Sequence, residues 1–186
     1  NHTLSWTPAA NTGTQVFDLE FRNLKLRNTT TTKQALFVDA VLVDQTVGVC
    51  CGDKFNIIGC DIQGGADATN PAAYIRNVGC LDFIRCRIYD GDLTVLNTTC
   101  LQYINSKVGS TTMPSKMNLT YDASSGVLNS LKRKYYNITL DSLLYGDLVL
   151  NGHPQVMVDS STMIYGNIVG TALTTYYDGP TSLDYC

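Results

Sequence analysis

Charged residues are scarce in this chain of 186 residues. Asp, Glu, Lys and Arg together make up 16% of it, and only one of its 16 acidic residues, Glu20, is a glutamate. Because aspartate favours turns while glutamate favours helices, this bias is typical of an all-β chain. The net charge of −3 comes without a basic stripe, so the sequence gives no support to a nucleic-acid partner.

Long apolar runs are lacking as well. No stretch approaches the ~20 apolar residues of a membrane helix, so we predict no membrane span. No signal peptide is visible and the chain begins at Asn1, so we expect a processed or trimmed form, or a fragment. Threonine and serine fill much of the polar surface, which is typical of extracellular and virion-surface proteins, and we predict that localisation.

Metal-binding motifs are also missing. The seven cysteines include no CxxC, and His2 and His153 lie far from them in sequence, so we predict no metal site and no cofactor. The odd count leaves at least one thiol unpaired within the chain. Cys186, at the last position, is the natural candidate for an intermolecular bond.

A short repeat dominates what is present. It reads apolar, any, apolar, any, small residue or Asn, inward residue, any, apolar. Its four copies are Leu19–Leu26, Phe55–Ile62, Leu81–Ile88 and Leu101–Val108. Two alternating strands with a tight corner between them explain this pattern, and a repeat of this size is typical of a solenoid.

The corner position is occupied by residues that tolerate a left-handed backbone. It holds Asn23, Gly59 and Asn105 in three copies and Arg85 in the fourth. Gly and Asn enter the left-handed region at the lowest cost, and one such residue between two extended ones turns the chain sharply. We therefore predict positive φ at the corners, with Arg85 as the exception to the residue preference.

A second pattern supplies a third strand to each repeat. Segments 89–95, 145–150 and 165–169 share a tyrosine, a Gly-Asp or Gly-Asn turn and an alternating apolar stretch. A strand, a one-residue bend, a second strand and a looser turn into a third strand make one coil of a parallel β-helix.

On these residues the chain resembles the right-handed parallel β-helix superfamily, the pectin-lyase-like architecture of pectate lyases, polygalacturonases and many viral tailspikes. The resemblance predicts an all-β, single-domain β-helix of about six coils over residues 16–170. We expect an N-terminal cap at 1–15, a protruding loop at about 109–130, and a C-terminal cap or subunit contact at 171–186.

Two cysteines fall at one inward position of successive coils. Cys60 and Cys86 share that position, and Ser106 follows in the next coil. Stacked coils lie ~4.8 Å apart, a spacing that a disulfide can also bridge. Small inward residues that remain free thiols and a disulfide between coils are therefore both open.

The enzymes of this superfamily suggest an alternative site on the outer sheet, formed by Asp61, Asp82 and Arg87. A pectate lyase needs clustered carboxylates and a basic residue, and a polygalacturonase needs three aspartates with Gly-His-Gly, whereas here His153 is followed by proline. Asp61 and Arg87 occupy one outward position together with Lys25 and Lys107, so a salt ladder explains them more simply.

Tyrosines at equivalent turns suggest a binding surface. Tyr89, Tyr145 and Tyr165 each precede the third strand, and tyrosine suits surfaces that are both apolar and hydrogen-bonding. An outer stripe of these rings would pack against a neighbouring subunit or stack on sugar rings. An aromatic ladder inside the solenoid is the structural alternative.

Five N-x-[ST] sequons begin at Asn1, Asn28, Asn97, Asn118 and Asn137. We predict glycosylation at Asn28, Asn97 and Asn118, which fall in predicted turns or loops.

The function favoured by the sequence as a whole is a non-catalytic structural or adhesion module, of the kind found as virion-surface capsid or spike proteins. Expected partners are further copies, other structural proteins of a particle, or glycans. The alternative is a polysaccharide lyase or glycoside hydrolase.

Overall fold

The structure, a computed structural model, describes residues 3–6, 17–28, 30, 33–39, 53–65, 70–76, 78, 80–96, 98, 100–120, 135–139, 142–151, 155–158 and 160–171. Within these residues the chain is all-β, with short strands and no helix. The strands are β1 (Leu4–Trp6), β2 (Phe17–Arg22), β3 (Lys25–Arg27), β4 (Leu36–Asp39), β5 (Asp53–Ile58), β6 (Asp61–Gln63), β7 (Ala73–Arg76), β8 (Cys80–Ile84), β9 (Arg87–Tyr89), β10 (Leu93–Leu96), β11 (Cys100–Ile104), β12 (Lys107–Val108), β13 (Met117–Thr120), β14 (Tyr135–Thr139), β15 (Leu143–Leu144), β16 (Leu148–Asn151), β17 (Gln155–Val158), β18 (Met163–Ile164) and β19 (Ile168–Thr171).

Successive strands enter three parallel sheets in rotation. The first sheet has the order β1-β4-β7-β10-β13-β16-β19, the second β17-β14-β11-β8-β5-β2, and the third β18-β15-β12-β9-β6-β3. Every strand from β2 onward therefore belongs to a triplet that visits the second, third and first sheets in turn. We number these triplets from the first, β2–β4, to the last, β17–β19.

The core follows from strict alternation within the strands. In the first sheet β4, β7, β10, β13 and β16 all alternate buried and half-buried side chains, and they pair in one register. The inward residues of one column in this sheet are Leu36, Ala73, Leu93, Met117 and Leu148, each at most 1% exposed. They join inward residues of the other two sheets in a single hydrophobic cluster, so strands of all three sheets contribute to one shared core.

The predicted corners are confirmed in all four copies of the repeat. Asn23, Gly59, Arg85 and Asn105 have φ of 56°, 63°, 53° and 46°. Each stands between a strand of the second sheet and one of the third. A single left-handed residue at this position therefore turns the chain from one sheet to the next, even where the residue is an arginine.

Arg85 should be the costly member of this set. Its side chain is exposed, and a left-handed backbone costs an ordinary L-residue more than it costs asparagine or glycine. We expect Arg85→Asn to raise the free energy of unfolding by about 0.5–1 kcal/mol, measured by urea denaturation. Lys116→Asn, at an exposed position with ordinary φ, serves as the control and should give no gain; equal effects of the two changes would contradict the explanation.

In the second to fifth triplets, the inward residue directly before the strand of the third sheet carries a hydrogen-bond donor, whereas the first triplet has Leu24 there. The side chains of Cys60, Cys86 and Ser142 donate to backbone carbonyls of the preceding triplet, those of Phe21, Ile57 and Tyr103, over 3.4, 3.0 and 2.9 Å. The Ser106 hydroxyl donates to the Ile104 carbonyl over 2.8 Å, and the Phe83 carbonyl lies 3.4 Å away. All four donors are buried. We call this set the corner column. A small side chain with an S–H or O–H group both fits the crowded corner and satisfies a buried carbonyl.

Cys60 and Cys86 are free thiols, and the predicted inward stacking of Cys60, Cys86 and Ser106 is confirmed. The hydrogen bond with Cys60 and burial together raise the pKa of the Cys86 thiol well above its ordinary range. Cys86 is therefore a neutral hydrogen-bond donor with a structural role. As for metals, no group of three or more His, Cys, Asp or Glu side chains in the described residues could hold a metal ion.

Two predicted segments contain strands. Within 1–15 the described residues include Leu4–Trp6, which pair with β4, and the Trp6 ring lies 4.9 Å from that of Phe55. The loop predicted at about 109–130 is wrong at Met117–Thr120, which form β13 because Met117 and Leu119 alternate into the core. Residues 121–130 and 172–186 lie outside the described part, so the C-terminal cap stays a prediction.

Candidate functional site

The outer column of the third sheet is charged over its first four positions and then becomes apolar. Its register aligns Lys25, Asp61, Arg87, Lys107, Leu143 and Met163. The Arg87 guanidinium donates two hydrogen bonds of 2.7 Å to the Asp61 carboxylate. This contact with Arg87 holds the pKa of Asp61 below its ordinary value, so the carboxylate is the ionised partner of a bidentate ion pair.

Asp82 is not part of this column. It lies on β8 in the second sheet, its side chain is 10% exposed, and its carboxylate is 3.3 Å from Lys54 Nζ. The corner at Arg85 separates β8 from β9, which carries Arg87. The predicted grouping of Asp61, Asp82 and Arg87 on one outer face is therefore wrong for Asp82, and the structure brings together only Asp61 and Arg87.

The aspartates of the turns before the first sheet are engaged locally. Asp90 accepts a 2.7 Å hydrogen bond from Gln63 Nε2. Asp92 accepts from the Lys116 amide at 2.7 Å, and Asp147 accepts from the Asn167 amide at 2.9 Å. Each carboxylate thus links one triplet to the next, as expected for turn residues that satisfy backbone donors.

Two of the three predicted tyrosines form an outer stack. The Tyr145 and Tyr165 rings are parallel within 3° with centroids 4.8 Å apart. Lys107 Nζ lies 4.8 Å from the Tyr145 centroid, within the range of a cation–π contact. With 62% of Tyr165 exposed, this stack lies on the outside and is no internal ladder.

Tyr89 does not join the stack. The register places Gly109 between Tyr89 and Tyr145, so two triplet spacings separate the rings. A side chain at Gly109 is excluded because its Cβ would lie 2.6 Å from the Ser115 amide nitrogen, and its φ is +73°. The predicted stripe is therefore interrupted at Gly109.

The face of the last triplet was not anticipated from the sequence. In the described part of the chain, six large hydrophobic residues are exposed, and five of them belong to this triplet: Val158, Met163, Tyr165, Ile168 and Val169, with Met113 elsewhere. The repeat accounts for two of the five. Val158 and Ile168 continue inward columns of the second and first sheets, and no described strand follows to cover them.

The three predicted glycosylation sites differ in placement. Asn28 is 1% exposed and its Nδ2 donates to Thr3 Oγ1 and to the Gln34 carbonyl, so the folded chain has no room for a glycan there. Asn97 lies outside the described residues. Asn118 lies on β13, half-buried, with Nδ2 3.4 Å from Asp92 Oδ2, and remains a prediction.

Comparison with known proteins identifies no relative. A scan against protein-family models and searches of curated proteins and of solved structures found no match. Among the described residues, no helix is long and apolar enough to cross a membrane.

Proposed function

We propose that the chain is a right-handed parallel β-helix of about six coils that acts as a non-catalytic structural or adhesion module. The strands rotate through three parallel sheets, and a left-handed corner recurs in four successive triplets. Each triplet corresponds to one proposed coil. The proposed setting is an extracellular or virion surface, where other copies or other structural proteins of a particle would be the partners.

The observation that carries the non-catalytic assignment is the state of the candidate carboxylates. Asp61 is held by Arg87 on the third sheet, while Asp82 faces Lys54 on the second. Paired acid–base catalysis on a glycoside needs two carboxyl groups facing each other across the scissile bond. Carboxylates on different sheets, each with its own cation, fit a structural role.

The tyrosine stack supports assembly better than sugar stacking. Lys107 and Tyr165 lie against Tyr145, so its ring offers little face to a sugar. Tyr165 has one face turned away from Tyr145 and is the ring through which a glycan would bind if the module serves in attachment. Glycosylation at Asn118 is part of the same proposal for a surface protein.

The lyase or hydrolase alternative can be tested directly. We would incubate the full chain with acidic and neutral polysaccharides and measure new reducing and unsaturated ends. We expect no release above background, and the Asp82→Asn variant should be indistinguishable from the unaltered protein. Release of new ends that Asp82→Asn or Asp61→Asn abolishes, while Glu20→Gln retains it, would overturn the non-catalytic proposal.

A further inference from the structure

We infer that the last triplet is the face through which two copies of this chain pack end to end, about a twofold axis. The inference deepens the proposed function, because it names the partner and the surface of an assembly module. Four features of the described residues lead to it: uncovered core positions, open sheet edges, the distribution of charge and the end of the tyrosine stack.

Core positions are uncovered at this end. Ile168 continues the inward column of the first sheet, in which Leu36, Ala73, Leu93 and Met117 are at most 1% exposed. Ile168 itself is 60% exposed, and among the described strands none lies beyond it in the first sheet. Leaving such a residue in water forgoes the burial that every earlier member of its column obtains.

All three sheets end on the same side. In the described strands, β19, β17 and β18 are the terminal members of the first, second and third sheets. Each therefore presents one row of backbone N–H and C=O groups that no described strand pairs. Exposed edges of this kind template pairing with another chain unless charges or bulges protect them.

Charge protects the opposite end and not this one. The first triplet places Glu20, Arg22, Lys25 and Arg27 on its exposed surface. The described residues of the last triplet, 155–158 and 160–171, contain no charged side chain; Asp159 lies outside them. A twofold contact sets a surface against itself, so charge of one sign would repel, whereas an uncharged apolar surface is self-complementary.

The tyrosine stack reaches this face and stops there. Tyr165 is stacked on Tyr145 on one side, and its hydroxyl lies 3.5 Å from Met163 Sδ. Tyrosine and methionine are enriched in the centres of protein interfaces, where an aromatic ring supplies apolar area and a polar edge together. Tyr165 and Met163 would therefore form the centre of the contact.

The test uses the full chain with reductant present, so that Cys186 cannot link two copies covalently. Sedimentation equilibrium between about 1 and 100 μM should give a mass twice that of the 20.3 kDa chain. Met163→Lys should shift the dissociation constant upward by at least about tenfold, because two like charges would meet across the axis. Met113→Lys makes the same chemical change at an exposed loop position and should leave the dimer intact.

Val169→Lys provides a second disruptive variant at an exposed position, and circular dichroism would verify that each variant keeps its β structure. A chain that stays monomeric throughout would overturn the inference, whether residues 172–186 or a different protein covers the face. Dimers that survive both substitutions, or open-ended polymers, would overturn it too. None of these results affects the polysaccharide assay, so failure of the dimer and failure of the non-catalytic assignment are distinguishable.

Discussion

Replacing Ile57 with alanine is expected to lower the free energy of unfolding by about 2–5 kcal/mol. Its side chain is fully buried in the column between Phe21 and Phe83, and truncation would leave a cavity in a core that three sheets share. Ile58 is the neighbouring residue of the same strand and is only half-buried. The same truncation there should cost about 1 kcal/mol or less.

Chemical denaturation of both variants measures this contrast. The pair is closely matched, since residue type, strand and triplet are identical and only the side of the strand differs. Equal losses at Ile57 and Ile58 would mean that β5 does not present alternate faces to core and solvent. The register of every strand paired with β5 would then be wrong as well, because a slip of one residue exchanges the two faces.

Replacing Ser106 with alanine is expected to cost about 1–3 kcal/mol, although it removes a single oxygen. Ser106 Oγ accepts a 3.0 Å hydrogen bond from the Cys86 amide and lies 2.8 Å from the Ile104 carbonyl. The site is buried, so the Cys86 N–H would lose its partner without gaining water. The loss should therefore exceed what the small change in volume explains.

Ser106→Cys is the control, because the corner column already holds thiols at Cys60 and Cys86. The thiol sulfur is a weak acceptor for the Cys86 N–H and also keeps an S–H donor, so this variant should be more stable than Ser106→Ala, as judged by the midpoint of thermal unfolding. If Ser106→Ala were as stable as Ser106→Cys, side-chain size alone would decide which residues the corner column accepts. Its hydrogen bonds would then contribute nothing to stability.

The corners and the succession of three strands in each repeat could be predicted from the sequence because each is encoded in a short stretch of chain. Asn23, Gly59 and Asn105 carry the left-handed turn in their own chemistry, and the alternation on either side fixes which residues face inward. Even Arg85 adopts the corner conformation. There the flanking strands, which pair with neighbours in both sheets, override the preference of the residue itself.

The site was less predictable because it depends on neighbours distant in sequence. Asp61 pairs with Arg87 and Asp82 contacts Lys54, and each partner comes from a neighbouring triplet. Gly109 follows Val108 as Tyr89 follows Ile88, so the repeat itself places a glycine in the tyrosine stripe; the structure adds that the Ser115 and Tyr145 backbones leave no room for a side chain there. Asn28 matches a sequon, yet its side-chain amide is buried and donates hydrogen bonds to Thr3 and Gln34. The repeat predicts which residues share a column, whereas contacts between residues of different columns decide which side chains are accessible to solvent or to a ligand.

The most direct test of the central claim, that successive triplets stack in one register, is a distance along the outer column of the third sheet. Spin labels on unnatural amino acids at positions 25 and 163 would leave all seven cysteines in place. Five strand spacings separate these positions. With labelled chains diluted in an excess of unlabelled chain, so that distances between copies do not contribute, pulsed electron spin resonance should give one narrow distribution near a backbone separation of about 24 Å. A broad distribution, or one centred far beyond that separation after allowance for the label arms, would contradict the stacked arrangement.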